Sequence, residues 1–165
     1  MIQLGDDYSL KAKLLEDDNL IDHKYNKNKV ILSTILGLNA VKNGDGKSAE
    51  LLFQSVAERR GVEWLPIVAH GTAMIVENPS VFVIKDITKL MTRDDVSLEA
   101  RNKLAQLRAI ANQNLNDPDK MKSSAGDVLQ RWTLDSIKST GTTAGEVMLD
   151  VVAKVVESIL TLGHF

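Results

Sequence analysis

The stretch that most limits what this chain can become lies at its end. Residues 143–162, TAGEVMLDVVAKVVESILTL, open with Thr143 and Glu146 at the spacing of a capping box and continue with aliphatic residues at most positions. On a wheel advancing about 100° per residue, Glu146, Asp150, Lys154, Glu157 and Thr161 fall within one stripe of roughly 80°. Some two-thirds of such a helix has to be covered, about twice what a helix on the surface of a monomer shows. Either it runs through the centre of its own domain, or a second copy covers part of it. The second option makes Val147, Val151, Val155 and Leu162 the candidate self-association residues.

The same helical period governs the rest of the chain. With 165 residues, 44% hydrophobic and 25% charged, there is enough for one core. The expectation is a mainly α, single-domain bundle over residues 1–165 with about seven or eight helices. A short helix over Ser9–Asp17 belongs to an acidic N-terminal segment, 1–19, and an apolar helix is expected over 29–43. The helix 47–60 carries Ala49, Leu52, Phe53, Val56 and Ala57 as one stripe. Residues 64–76 are nearly all apolar and read as a buried helix. Asn78-Pro79 then looks like the entry to a further helix, with a small β-hairpin across 67–85 as the alternative. Asp95 or Ser97 starts a long helix to about Asn116, DKMKSSAG at 119–126 reads as a loop, and Asp127–Thr140 as the next helix, closed by Gly141.

NGDGKS, at 43–48, imitates a phosphate loop, but the glycine needed five residues before Gly46 is Val41. It imitates a calcium loop too, yet Val41 and Leu52 stand where ligands should be. A tight helix–helix connection accounts for it: Gly44 ends one helix, Asp45 caps the next and Gly61 ends that one. Neither nucleotide nor calcium is expected there, and no cofactor elsewhere.

Charge is unevenly placed. Residues 1–19 hold five acids against two lysines, whereas 20–60 hold seven basic residues against four acids. Within the second segment, HKYNKNK at 23–29 makes Lys24, Tyr25, Lys27 and Lys29 candidate nucleic-acid contacts, cations for phosphates and a ring for a base. A solvated loop leading into the next helix explains the run equally well. The formal net charge of −2 gives no global attraction to nucleic acid.

Constellations for catalysis are not evident. His23, His70 and His164 share no metal-ligand spacing, the chain has no cysteine, and no Gly-x-Ser-x-Gly elbow occurs. An enzyme would have to be built around His70, with Trp64 nearby; a lone histidine among apolar residues is more often a hydrogen-bonded core residue. The acid pairs Asp6-Asp7, Asp17-Asp18 and Asp94-Asp95 sit at predicted helix boundaries, where capping accounts for them. MIQLGDDYSLK lacks the basic start and apolar stretch of a secretory signal, and no apolar run reaches the length of a membrane span. No membrane partner is expected, and the location should be cytoplasmic, or the virion if the chain is viral.

Leu15-Glu16-Asp17-Asp18, a polar link, an apolar helix and Ala40-Val41-Lys42-Asn43 before a second helix loosely resemble the central helical hairpin of small terminase subunits from tailed phages. Those proteins are ring-forming, non-catalytic DNA-packaging factors. The resemblance covers residues 15–60 and implies a helical hairpin and a packaging role; the long C-terminal helix departs from the pattern. The expected function is a non-enzymatic structural or packaging protein that self-associates as a homo-oligomer. The alternatives are a regulatory module docking on a partner protein and a small-terminase-like nucleic-acid packaging factor.

Overall fold

The computed structural model of the chain describes residues 19–138, with side chains over 29–136. Six helices follow one another: α1 Asn19–Lys42, α2 Gly46–Arg60, α3 Leu65–Glu77, α4 Val81–Met91, α5 Leu98–Gln113 and α6 Pro118–Lys138. There is no strand among the described residues, so the fold is mainly α, with six helices here against the seven or eight expected for the whole chain. The expected helices at 9–17 and 143–162 lie outside the described residues, as do Val147, Val151, Val155 and Leu162.

The centre of the bundle is α3, which packs against each of the other five helices. Its sequence explains the position: Leu65, Ile67, Val68, Ala69, Ala73 and Ile75 are buried on all sides of the helix, and an all-round apolar helix is stable only when surrounded. Pro66 falls in the first turn, where its missing N–H costs nothing. Thr72 returns its hydroxyl to the Val68 carbonyl at 2.9 Å, so the buried hydroxyl of this stretch is satisfied inside the helix. The hairpin alternative over 67–85 is thereby corrected. β-Branched residues are tolerated in a helix when burial on every face outweighs their small propensity cost.

The α1–α2 pair forms the helical hairpin expected from 15–60, closed by Gly44 in the left-handed region (φ 75°). The joint is the anticipated one. Asp45 caps α2 by accepting the Ser48 N–H at 3.1 Å, and Gly61 ends it at φ 68°. Ser97 similarly caps α5, taking the Ala100 N–H at 3.1 Å. Replacing Ser97 with alanine should cost about 1 kcal/mol, read as a lowered midpoint in urea unfolding; an unchanged midpoint would contradict the cap.

Three boundaries differ from the sequence reading. HKYNKNK is not a loop but part of α1, which begins about ten residues earlier than expected. The run holds no glycine or proline, and each residue added to an existing helix gains a backbone bond. DKMKSSAG is not a loop either: α6 passes straight through it. Met121 and Ala125 are buried in line with Leu129 and Trp132 at helical spacing, and that burial overrides the loop-like composition. Lastly, Asn78 closes α3 rather than capping α4. The cap of α4 is Ser80, which accepts the Phe82 N–H, so that helix begins two residues after Pro79.

Candidate functional site

The helices bring together four ionisable side chains that no local motif announces. Glu50 lies on α2, His70 on α3, and Arg93 and Asp95 on the link between α4 and α5. Arg93 clamps Glu50 through two parallel bonds, Nη1 to Oε1 at 2.8 Å and Nη2 to Oε2 at 2.9 Å. The same guanidinium holds Asp95, donating from Nε at 3.0 Å and Nη2 at 2.6 Å. His70 Nδ1 stands 2.7 Å from Glu50 Oε1. An ionised carboxylate can only accept, so Nδ1 carries the proton.

Electrostatics follow from this geometry. Hydrogen bonding from Arg93 holds the Glu50 carboxyl below its ordinary range despite partial burial, with His70 adding to the effect. Asp95 is lowered by the same guanidinium, and Arg93 is raised in turn by Glu50 and then Asp95. The side chains of His70 and Glu50 are 16% and 17% exposed. Gly46 makes the approach possible. The His70 ring occupies the space that a side chain at Gly46 would need, which seats the start of α2 directly against α3.

Glu50 and His70, bonded to each other, line one each of two surface depressions. The first, of about 480 Å³, is lined by Pro66, Ile67 and Ala100 together with the charged Glu50, Glu58, Glu63, Arg93 and Asp95. The second, of about 850 Å³, is bounded by NGDG and Lys47, His70, Glu77 and Asp86. Between them they present Glu50, Glu58, Glu63, Asp95, Asp45, Glu77 and Asp86, seven carboxylates against the cations Arg93 and Lys47. Such a face repels polyanions. At the start of α2, where a phosphate would bind, Asp45 already accepts both the Ser48 N–H and the Ser48 hydroxyl, and these bonds lower its pKa. Lys47 is exposed. Lys47→Ala should therefore shift stability by no more than about 0.5 kcal/mol and leave ATP titrations flat in both proteins; ATP binding that Lys47→Ala abolishes would overturn the turn reading.

The other candidate residues are dispersed. Lys24, Tyr25, Lys27 and Lys29 belong to the first half of α1, and of their side chains only Lys29 is described, as exposed. Trp64, grouped with His70 in the sequence, lines neither depression. It packs edge-on against Trp132 at 6.2 Å between ring centroids, with the Lys103 ammonium 4.3 and 4.6 Å from the two rings. No local motif announces Arg93–Glu50, a pair 43 residues apart. Capping accounts for Asp95 at the sequence level, whereas in the structure it pairs with Arg93, two residues before it in the same link. Among the described residues there is no group of acids and histidines able to hold a metal, and no helix long and apolar enough to cross a membrane. Comparison with protein-family models, with curated proteins and with solved structures finds no match to this chain.

Proposed function

We propose that the chain is a non-enzymatic structural or packaging protein that self-associates into a homo-oligomer, with residues 143–162 in the contact. The observation that carries this reading is the position of α3. A helix that is apolar on two-thirds of its surface belongs either at the centre of its domain or against a partner, and the centre of the described bundle is filled by α3, which touches all five other helices. That leaves the C-terminal run to cover an outer surface. A virion or phage component fits this class, as does a cytoplasmic scaffold.

The test is a series of aspartates at Val147, Val151, Val155 and Leu162. A carboxylate stranded in an apolar contact costs several kcal/mol, and a position buried only in the assembly exacts that cost only there. At least one variant should keep its helical circular dichroism and cooperative melting yet run as a monomer. If every substitution unfolds the protein, the run is ordinary core and the proposal fails.

A small-terminase-like role in nucleic-acid packaging is favoured by the α1–α2 hairpin and by the cations at its open end. It predicts binding that weakens steeply with salt, and a flatter dependence once Lys24, Lys27 and Lys29 are replaced together.

A further inference from the structure

We infer that the outer flank of α1, centred on Leu32 and Leu36, is the surface on which residues 143–162 of a second copy dock; this rests on the self-association reading and names its receiving site. Leu32 is 56% exposed and Leu36 44%. They lie one turn apart on a line of exposed residues that also holds Lys29 and Asn39, and the half-buried Ile31 and Ile35 continue the apolar surface beside them. The opposite side of the same helix is equally apolar: Val30, Leu38 and Val41 are buried, and Thr34 is buried with its hydroxyl on the Val30 carbonyl. Helix α1 is thus apolar around most of its circumference over residues 30–41. Its principal helical neighbours among the described residues, α2 and α3, cover only the inner part. A helix apolar on all sides is stable when surrounded, and this one has a flank left exposed among the described residues.

The chain itself supplies matching material. Residues 143–162 carry Val147, Met148, Leu149, Val151, Val152, Val155, Val156, Ile159, Leu160 and Leu162 on a surface too wide for one neighbour, since a helix facing a single packing layer buries a stripe of roughly 100°. Docking on α1 alone would leave apolar surface over. A two-fold pair resolves both deficits: each C-terminal run meets α1 of the other copy on one side and the other copy's run on the next, the self-complementary pattern of an isologous contact. Charge does not oppose the pairing: Glu146, Asp150 and Glu157 lie together in the narrow polar stripe of the run, away from its docking side, and the exposed line of α1 carries no acid.

Because the chain has no cysteine, the contact can be trapped cleanly. Full-length Leu36→Cys, carrying a size tag, is mixed with untagged Val147→Cys, Val151→Cys or Val155→Cys and treated with a short bismaleimide. The expected product is a mixed dimer of tagged and untagged chains with at least one of the three. In parallel, the double variant Leu32→Glu, Leu36→Glu should lose the oligomer while keeping its helical circular dichroism. No mixed dimer, with cross-linking instead within single chains of a control that carries Leu36→Cys and Val151→Cys together, would overturn the inference and place the run on its own α1. An oligomer that persists in the glutamate variant, with no mixed cross-link, would leave self-association standing but move its site away from α1. A native protein that is monomeric at every concentration would remove the parent proposal as well.

Discussion

Phe53→Ala is expected to destabilise the fold by about 3–5 kcal/mol, the usual cost of emptying a fully buried aromatic site. Phe53 has no exposed surface, and its ring lies against Gly37 so closely that a Cβ there would stand 2.7 and 2.8 Å from two ring carbons. The contact fixes how α1 crosses α2, and it makes a second, more discriminating result available. Alone, Gly37→Ala gains about 1 kcal/mol in helix propensity but loses about 1–3 kcal/mol to overpacking, a net loss. In the Phe53→Ala background the ring is gone, the clash disappears and the propensity gain remains. Gly37→Ala should then stabilise, so the two substitutions are strongly non-additive. Urea unfolding of the four proteins measures this, and simple additivity would mean that the hairpin does not cross at Gly37.

The second large effect concerns the charge network. Arg93→Ala leaves the Glu50 carboxylate, 17% exposed, with His70 as its remaining partner, at a cost of about 2 kcal/mol. The figure sits below that for a fully buried pair because Arg93 is 36% exposed and solvent screens the interaction. The pH dependence has a definite sign. The Glu50 carboxyl is lowered from its ordinary 4.5, chiefly by the Arg93 bonds, so its stabilisation is fully present above that value and is lost as pH falls through the lower folded value. Glu50→Gln should therefore be less stable than the native protein at pH 7, with the gap closing under acid conditions. A gap that stays constant from pH 7 to pH 3 would mean that the clamp contributes shape and not charge.

Much of the fold was legible because its determinants are local. Asp45, Ser97 and Gly61 sit at helix ends where capping rules place them, and Ala49, Phe53, Val56 and Ala57 are buried at the spacing their stripe predicts. Where local composition and tertiary burial disagree, the sequence misleads. Lys122-Ser123-Ser124 looks like a loop, yet burial of Met121 and Ala125 on either side carries the helix through it. The charge network was not legible for a different reason. Glu50 and Arg93 have no sequence relation beyond opposite charge, and only the stacking of α2, α3 and the α4–α5 link brings their atoms within 2.9 Å. For His70 a single signal did exist, since a histidine in an apolar helix needs a polar partner, but nothing in the sequence names that partner as Glu50.

The claim on which the functional account rests is that this chain meets copies of itself. Size-exclusion chromatography with light scattering on the full-length protein, over a hundred-fold range of concentration, tests it most directly. The account predicts a homogeneous species at an even multiple of 18.1 kDa that falls to the single-chain mass when a contact residue of 143–162 becomes aspartate. A native protein that stays at 18.1 kDa throughout, folded and unchanged by dilution, would contradict it.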